Sequence, residues 1–371
     1  MITTPRVTVL TPVYNGLPYL KESIESTLNQ SMKDFELFVI VDGPEGNKDG
    51  SFECAQSYAA RDSRVRVIMN EKNLGTAGTM NKGIELATAP IVARLDQDDI
   101  SYPRRLESQF AYLKAHPELM IVSAWEYGID AQTRKVRNWQ AEISNYGAFL
   151  GPIVLGLCPI WHPSIMFYKE AMMTAGGYRK EYQPVEDFEA TMRLGYLAYR
   201  GGVVPEYLVG QRHHGARQSV TKLEVQKVVR DTVHYKMIRR FISIPDQEGL
   251  QLGQFLGLSS LFWGTTHSKG EYYKIFELLA KFLEAVRSKL SLTDDEFKTM
   301  RDIVYARLGR GARYVKYLRY VPARIFSPVF FTLSPLLLPR VRSIAWTIHE
   351  FMQELRYPLR FLRGGLERRD K

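Results

Sequence analysis

Cysteine is nearly absent: Cys54 and Cys158 are the only two in 371 residues. Two thiols build no disulfide framework, and neither has a second Cys or a His at zinc-site spacing. Reduced thiols in a cytosolic setting are the expectation. Long apolar runs are also missing. No stretch of about 18 to 20 uninterrupted apolar residues occurs, which argues against a spanning helix. The opening MITTPRVTVLTPVYNG lacks the basic start and apolar core of a secretory signal, so none is expected. Low-complexity tracts and internal repeats are absent as well. What is present is a globular composition, 45% apolar, 24% charged and 12% aromatic, in a chain long enough for two or three domains.

The net charge of +10 is unevenly placed. Residues 301–371 hold 15 Lys and Arg against 5 Asp and Glu, while the preceding 300 residues hold 35 of each. A neutral body with a basic tail argues against a nucleic-acid-binding core.

Along the first hundred residues, β-branched strands and amphipathic helices alternate four times. RVTVLTPV (6–13), FELFVIV (35–41), Val65–Met69 and Ile91–Leu95 have strand character. Helical patterns fill the intervals, at about 18–30, 51–60 and 76–88. Such alternation predicts an α/β fold with a parallel sheet covered on both faces. Ligands of such sheets bind beyond the carboxyl ends of the strands, where Asn15, Asp42 and Asp96 fall. From 100 to 218 the pattern is looser, with strands near 119–125 and 164–168 and a helix near 187–198. Beyond 220 the chain turns helical, and Thr293 with Glu296 has the form of a capping box.

The run Asp96-Gln97-Asp98-Asp99 carries three carboxylates in four positions, which repel one another unless a cation neutralises them. A solvated turn or helix cap is the bland alternative. The position after a buried strand at the ligand rim favours Mn²⁺ or Mg²⁺, with a diphosphate completing the coordination.

The order PVYNG (12–16), VDG (41–43), NLG (73–75), NKGIELA (81–87) and LDQDD (95–99) resembles glycosyltransferase family 2. The resemblance covers residues 5 to 220. It implies a GT-A fold: a Rossmann-like nucleotide-sugar-binding half at 1–100 and an acceptor half at 101–220. A helical region at 221–300 and a basic amphipathic tail at 301–371 would follow. It also implies roles. Thr11, Pro12, Tyr14, Asp42 and Asn73 would contact the nucleotide, and Asp96 the ribose side of the donor. Asp98 would bind the metal. Where family members often carry an arginine, this chain has Met80, and Lys82 or Lys72 is the expected substitute. QPVEDFEATMRLG resembles the segment whose aspartate is the general base, here Asp187 with Glu186 beside it. Trp161 and His162 would face the acceptor, and His214, in QRHH (211–214), would reach the metal or diphosphate.

The expected activity is inverting transfer of one sugar from a nucleotide sugar, UDP-sugar ahead of dTDP-sugar, because a processive member's Gln-x-x-Arg-Trp motif is absent. The partners expected are a glycan or polyprenyl-linked acceptor and, through the tail, an anionic membrane surface, with no nucleic acid. Arginines alternate with apolar residues over 301–324, and the apolar IFSPVFFTLSPLLLP (325–339) is too short to span. This places the protein in the cytoplasm, peripherally on the inner face of the cell membrane. A catalytically silent scaffold of the same fold is the rival from another class. A nucleotidyltransferase ranks lower for want of a Gly-rich phosphate loop.

Overall fold

The computed structural model describes residues 4–215, 222–256 and 269–312. Its first half alternates as expected: β1 (Val7–Val13), α1 (Leu20–Leu28), β2 (Phe35–Val41), α2 (Ser51–Ala59), β3 (Val65–Met69), α3 (Gly75–Leu86) and β4 (Ile91–Arg94). The four strands lie parallel in the order β3-β2-β1-β4. Every residue of β2 is buried, which is why FELFVIV shows no polar alternation: helices cover both faces.

The second half adds β5 (Ile100–Ser101), α4 (Arg105–Ala115), β6 (Leu119–Ile129), β7 (Lys135–Trp139), α5 (Tyr146–Val154), β8 (Met166–Tyr168), α6 (Lys169–Thr174), α7 (Glu186–Tyr196) and β9 (Arg200–Arg212). The sheet runs on past β4 as β8-β6-β9-β5, with β7 pairing the far end of β6. Here the ladder is mixed: β8 is antiparallel to β4 and β6, whereas β9 is parallel to β6. One nine-stranded sheet therefore joins the two halves, and the change from parallel to mixed pairing opens a crevice at the carboxyl ends of β1, β2 and β4.

Four helices follow: α8 (Leu223–Phe241), α9 (Asp246–Leu256), α10 (Lys269–Lys289) and α11 (Asp294–Ala312). The Thr293–Glu296 capping box is present. Thr293 N–H donates to Glu296 Oε2 at 3.0 Å, and Glu296 N–H donates back to Thr293 Oγ1 at 3.2 Å. Helix α11 lies directly on α5. A Cβ built on Gly147 would stand 1.9 Å from the Glu296 carbonyl oxygen, and one on Gly151 2.8 Å from Ile303. Only glycine allows that approach. Val304 and Leu308 are buried, so the division at residue 301 falls inside a packed helix. Among the described residues no helix is long and apolar enough to cross a membrane. The tail beyond 312, including the 325–339 apolar segment, lies outside the described residues.

Candidate active site

Asp42 ends β2 and is buried. Its Oδ1 accepts from Asn70 Nδ2 at 2.9 Å and from Leu74 N–H at 2.8 Å, and its Oδ2 accepts from Gly75 N–H at 2.8 Å. The carboxylate thus caps the start of α3, where unpaired amides and the helix dipole favour negative charge. The sharp turn behind it requires Gly43, which has φ +81°, and a Cβ there would sit 2.6 Å from the Asn73 nitrogen. Asn73 itself caps Gly75 N–H through Oδ1 at 2.9 Å. Pro12 and Tyr14 leave β1 at the same rim. Gln97 ties that loop to the acidic run, accepting from Tyr14 N–H at 2.7 Å and donating to its carbonyl at 3.3 Å.

Behind the rim stands a chain of polar contacts. Arg94, the last residue of β4 and buried, donates from Nε to Asp96 Oδ1 at 2.6 Å. Its Nη1 lies 2.7 Å from His162 Nδ1. A guanidinium has no acceptor, so this nitrogen accepts. Nε2–H is then the donor to the Tyr178 hydroxyl, 2.9 Å away. Burial, then the Arg94 charge, pushes His162 well below the usual histidine range, which keeps the ring neutral. Tyr178 is gripped from the donor half: Asn81 Nδ2 donates to its carbonyl at 2.7 Å, and its N–H donates to Asn81 Oδ1 at 2.8 Å. Asp187 Oδ2 lies 3.8 Å from His162 Nδ1 and closes the series.

The second acid of the run has a different partner. Asp98 Oδ2 meets His214 Nε2 at 2.7 Å. Arg212, fully buried, holds this loop in shape. Its Nε donates to the Asp98 carbonyl at 2.8 Å, its Nη2 pairs with Glu22 at 2.8 Å, and its N–H donates to Asp99 Oδ1 at 2.8 Å. Burial and the neighbouring Asp98 and Asp96 push Asp99 well above the usual carboxylate range. Among the described residues no group of three His, Cys, Asp or Glu is disposed around one point. Asp98 and His214 offer one oxygen and one nitrogen, a donor set that suits Mn²⁺ or Mg²⁺ when phosphate oxygens and water fill the remaining positions.

Glu186 and Asp187 open α7, where the dipole favours acids. Asp187 Oδ1 accepts from Phe188 N–H at 2.7 Å. Its side chain is 40% accessible on the cleft side, yet protein surrounds it deeply enough that burial raises its pKa, against the pull of that amide, Arg94 and Arg230. Glu186 is 5% exposed; burial and then Asp187 push it up to about 7.

These groups face one cleft of about 590 Å³. Pro12, Tyr14, Asp42, Asp96, Asp98 and His214 line its donor side, and His162, Glu186 and Asp187 its far side. Four expected contacts are not among the lining residues: Thr11, buried in β1, and Asn73, Lys82 and Trp161. Both nitrogens of His162 are engaged inside the protein, so its polar atoms serve the framework. Arg94 was not anticipated. A lone arginine in the strand IVAR is the available signal, because a buried guanidinium demands a carboxylate partner. Gln226 and Arg230 of α8 also line the cleft, and no motif announces them.

Comparison with known proteins agrees with this geometry. The family described as "Glycosyl transferase family 2" matches residues 8–192. The putative glycosyltransferase EpsE of Bacillus subtilis is 33% identical over 213 residues, covering 55% of this chain and 72% of EpsE. The uncharacterized glycosyltransferase MJ1057 of Methanocaldococcus jannaschii is 29% identical over 225 residues, 60% of this chain and 76% of the relative. AmsE of Erwinia amylovora, an amylovoran biosynthesis glycosyltransferase, is 28% identical over 193 residues, 52% of this chain and 70% of AmsE. Among solved structures, S. aureus TarS residues 1–349 in complex with UDP-GlcNAc superimposes with a TM-score of 0.53 at 16% identity, covering 82% of this chain and 92% of that one. At that identity the likeness concerns the fold.

Proposed function

Since the chain belongs to glycosyl transferase family 2 and is a glycosyltransferase of GT-A fold, we propose that it transfers one sugar, with inversion, from a nucleotide sugar to a glycan or polyprenyl-linked acceptor. The observation that carries this reading is the separation of duties in one cleft. Asp42, Asp96 and Asp98 stand beyond the carboxyl ends of β2 and β4, Asp187 stands at the start of α7, and all four line the cleft.

In the proposed reaction the acceptor oxygen bonds to the anomeric carbon as the bond from that carbon to the diphosphate oxygen breaks. Asp187 takes the acceptor hydroxyl's proton, and the nucleoside diphosphate leaves with the electron pair. A base on the face opposite the leaving group is what inversion requires. Burial favours the protonated form of Asp187, so the site holds a stronger base than an exposed aspartate would be. On the donor side Oδ2 of Asp42 accepts one internal hydrogen bond and retains acceptor capacity for an imide N–H of uracil or thymine. Asp98 and His214 would hold Mn²⁺ or Mg²⁺, which when bound would neutralise charge on the departing diphosphate. UDP-sugar is the first donor to test, since the fold neighbour TarS is described with UDP-GlcNAc. AmsE, named for amylovoran synthesis, supports a polysaccharide-type acceptor. The basic tail, 15 Lys and Arg over 301–371, is assigned to an anionic membrane surface on the cytoplasmic face.

Incubation of the full chain with a panel of nucleotide sugars and Mn²⁺, repeated with chelator, tests the donor. Release of nucleoside diphosphate from a UDP-sugar, suppressed by chelator, is expected. A chain that turns over none of the panel, with or without glycosides, is instead the silent scaffold. Co-sedimentation with anionic liposomes at low salt, abolished by truncation after 312, is the outcome expected of the tail. Failure of the full chain to sediment refutes that assignment.

A further inference from the structure

Glu186 has a property its neighbour lacks. It lines the cleft although only 5% exposed, and its Oε2 is sealed from water with no hydrogen-bond partner among the described residues. Among the described residues no lysine or arginine pairs with it. The guanidinium nearest in effect, Arg94, is committed to Asp96 and His162, and Arg230, on α8, lies over Phe188 with its Cζ 4.8 Å from the ring centre. The other charges acting on Glu186 are Asp187 beside it and Asp96 across the cleft, both negative. An ionised carboxylate in that place would be desolvated and repelled by two acids, with only its own backbone amide and the charge of Arg94 in its favour. A carboxylic acid would not.

We propose that Glu186 works as a neutral acid, donating a hydrogen bond from its carboxyl to an uncharged oxygen of the acceptor sugar, beside the hydroxyl that Asp187 deprotonates. This rests on the base reading of Asp187 and deepens it: two adjacent carboxyls at one helix start divide into an acid that orients the acceptor and a base that activates it. The ligand feature selected is a hydroxyl, ring or acetamido oxygen. Desolvation and Asp187, which together hold Glu186 up at about 7, supply the proton at neutral pH.

A carbon-13 titration of the full chain, labelled at the glutamate carboxyl carbon, reads the protonation directly. One signal that moves near pH 7 and is lost in Glu186→Gln is expected. If the signal lost in that variant titrates below pH about 5.5, near the ordinary glutamate range, the neutral acid is refuted. The hydrogen bond is read by transfer from UDP-GlcNAc to a panel of alkyl glycosides. Glutamine keeps a donor of similar shape, so transfer should fall about threefold in Glu186→Gln but about thirtyfold in the apolar Glu186→Met, the size of one good buried hydrogen bond. The alkaline limb of the pH profile should vanish in the glutamine variant. Equal losses in the two variants overturn the orienting role. Asp187→Asn keeps the two readings apart: normal transfer in that variant removes Asp187 as base, while the carboxyl titration still decides the state of Glu186.

Discussion

Asp42, in the parallel half of the sheet, is held by backbone amides, whereas the carboxylates of the mixed half stand among buried arginines. The contrast follows from local structure. Regular βα units end in helix starts whose free N–H groups welcome an acid, so Asp42 needs no buried cation. Past residue 100 the chain crosses the sheet by irregular loops, and their inward-facing carbonyls need donors. Arg105, Arg193 and Arg212, the largest fully buried side chains, supply them. Arg105 reaches the carbonyls of Arg94, Pro163 and Ile165. Arg193 pairs with Glu189 and donates to the carbonyls of Ala175 and Gly177. The acceptor side and the acidic run thus depend on a few costly cations, and Asp42 on inexpensive amides.

Four variants bear on this contrast, from the largest effect down. Asp187→Asn should lower transfer by about 10² to 10⁴-fold, the range of a general base, while nucleotide binding by the donor half changes little. Loss of nucleotide binding in that variant would show the two sides to be one unit. Arg193→Met should reduce unfolding free energy by about 3–5 kcal/mol, because it leaves the buried Glu189 with only Arg179, 3.5 Å away, as a partner; denaturant titration measures it. Asp42→Ala should cost about 1–2 kcal/mol, the value of a cap, and a loss matching Arg193→Met would erase the distinction. The smallest effect is pH dependence. Glu186 is raised to about 7, so its contribution to stability is complete below its unfolded value and is lost as pH rises through 7. His162 is lowered, so its contribution is present above the unfolded histidine value and is lost as pH falls below it. Thermal unfolding of Glu186→Gln against the parent should therefore show an advantage of a few °C that grows from pH 5 to pH 8, and a constant difference would refute it.

Legibility in the sequence divides along the same line. The expected strands 35–41 and 65–69 match β2 and β3 residue for residue; β2 does so because a covered parallel strand is a uniform apolar run with sharp polar ends. The segment GAFLGPIV gave no periodicity, since α5 is buried nearly all round and carries Pro152 inside it. β9 was hidden by Gly201, Gly202 and Pro205, residues that weaken any strand pattern. In the site, the acids that line the cleft were visible because each follows a strand end or opens a helix. Lys82 was chosen to replace a missing cation by sequence position alone. The cation beside Asp96 is Arg94, whose role depends on His162, 68 residues away, and no local pattern encodes that pairing.

The contact of Gly147 and Gly151 with α11 sets the order in which the molecule is finished. The groove on α5 is filled by residues that emerge from the ribosome about 150 positions later, roughly 8 to 30 s at ordinary synthesis rates. Until then Asn145 lacks Asp295, its hydrogen-bond partner at 2.9 Å, and the floor beneath α7 is open to water. The donor half has all its strands once β4 is made, but the wall that bears Asp187 waits for the last described helix. A nascent chain of this length should therefore hold nucleotide before it gains the capacity to spend it.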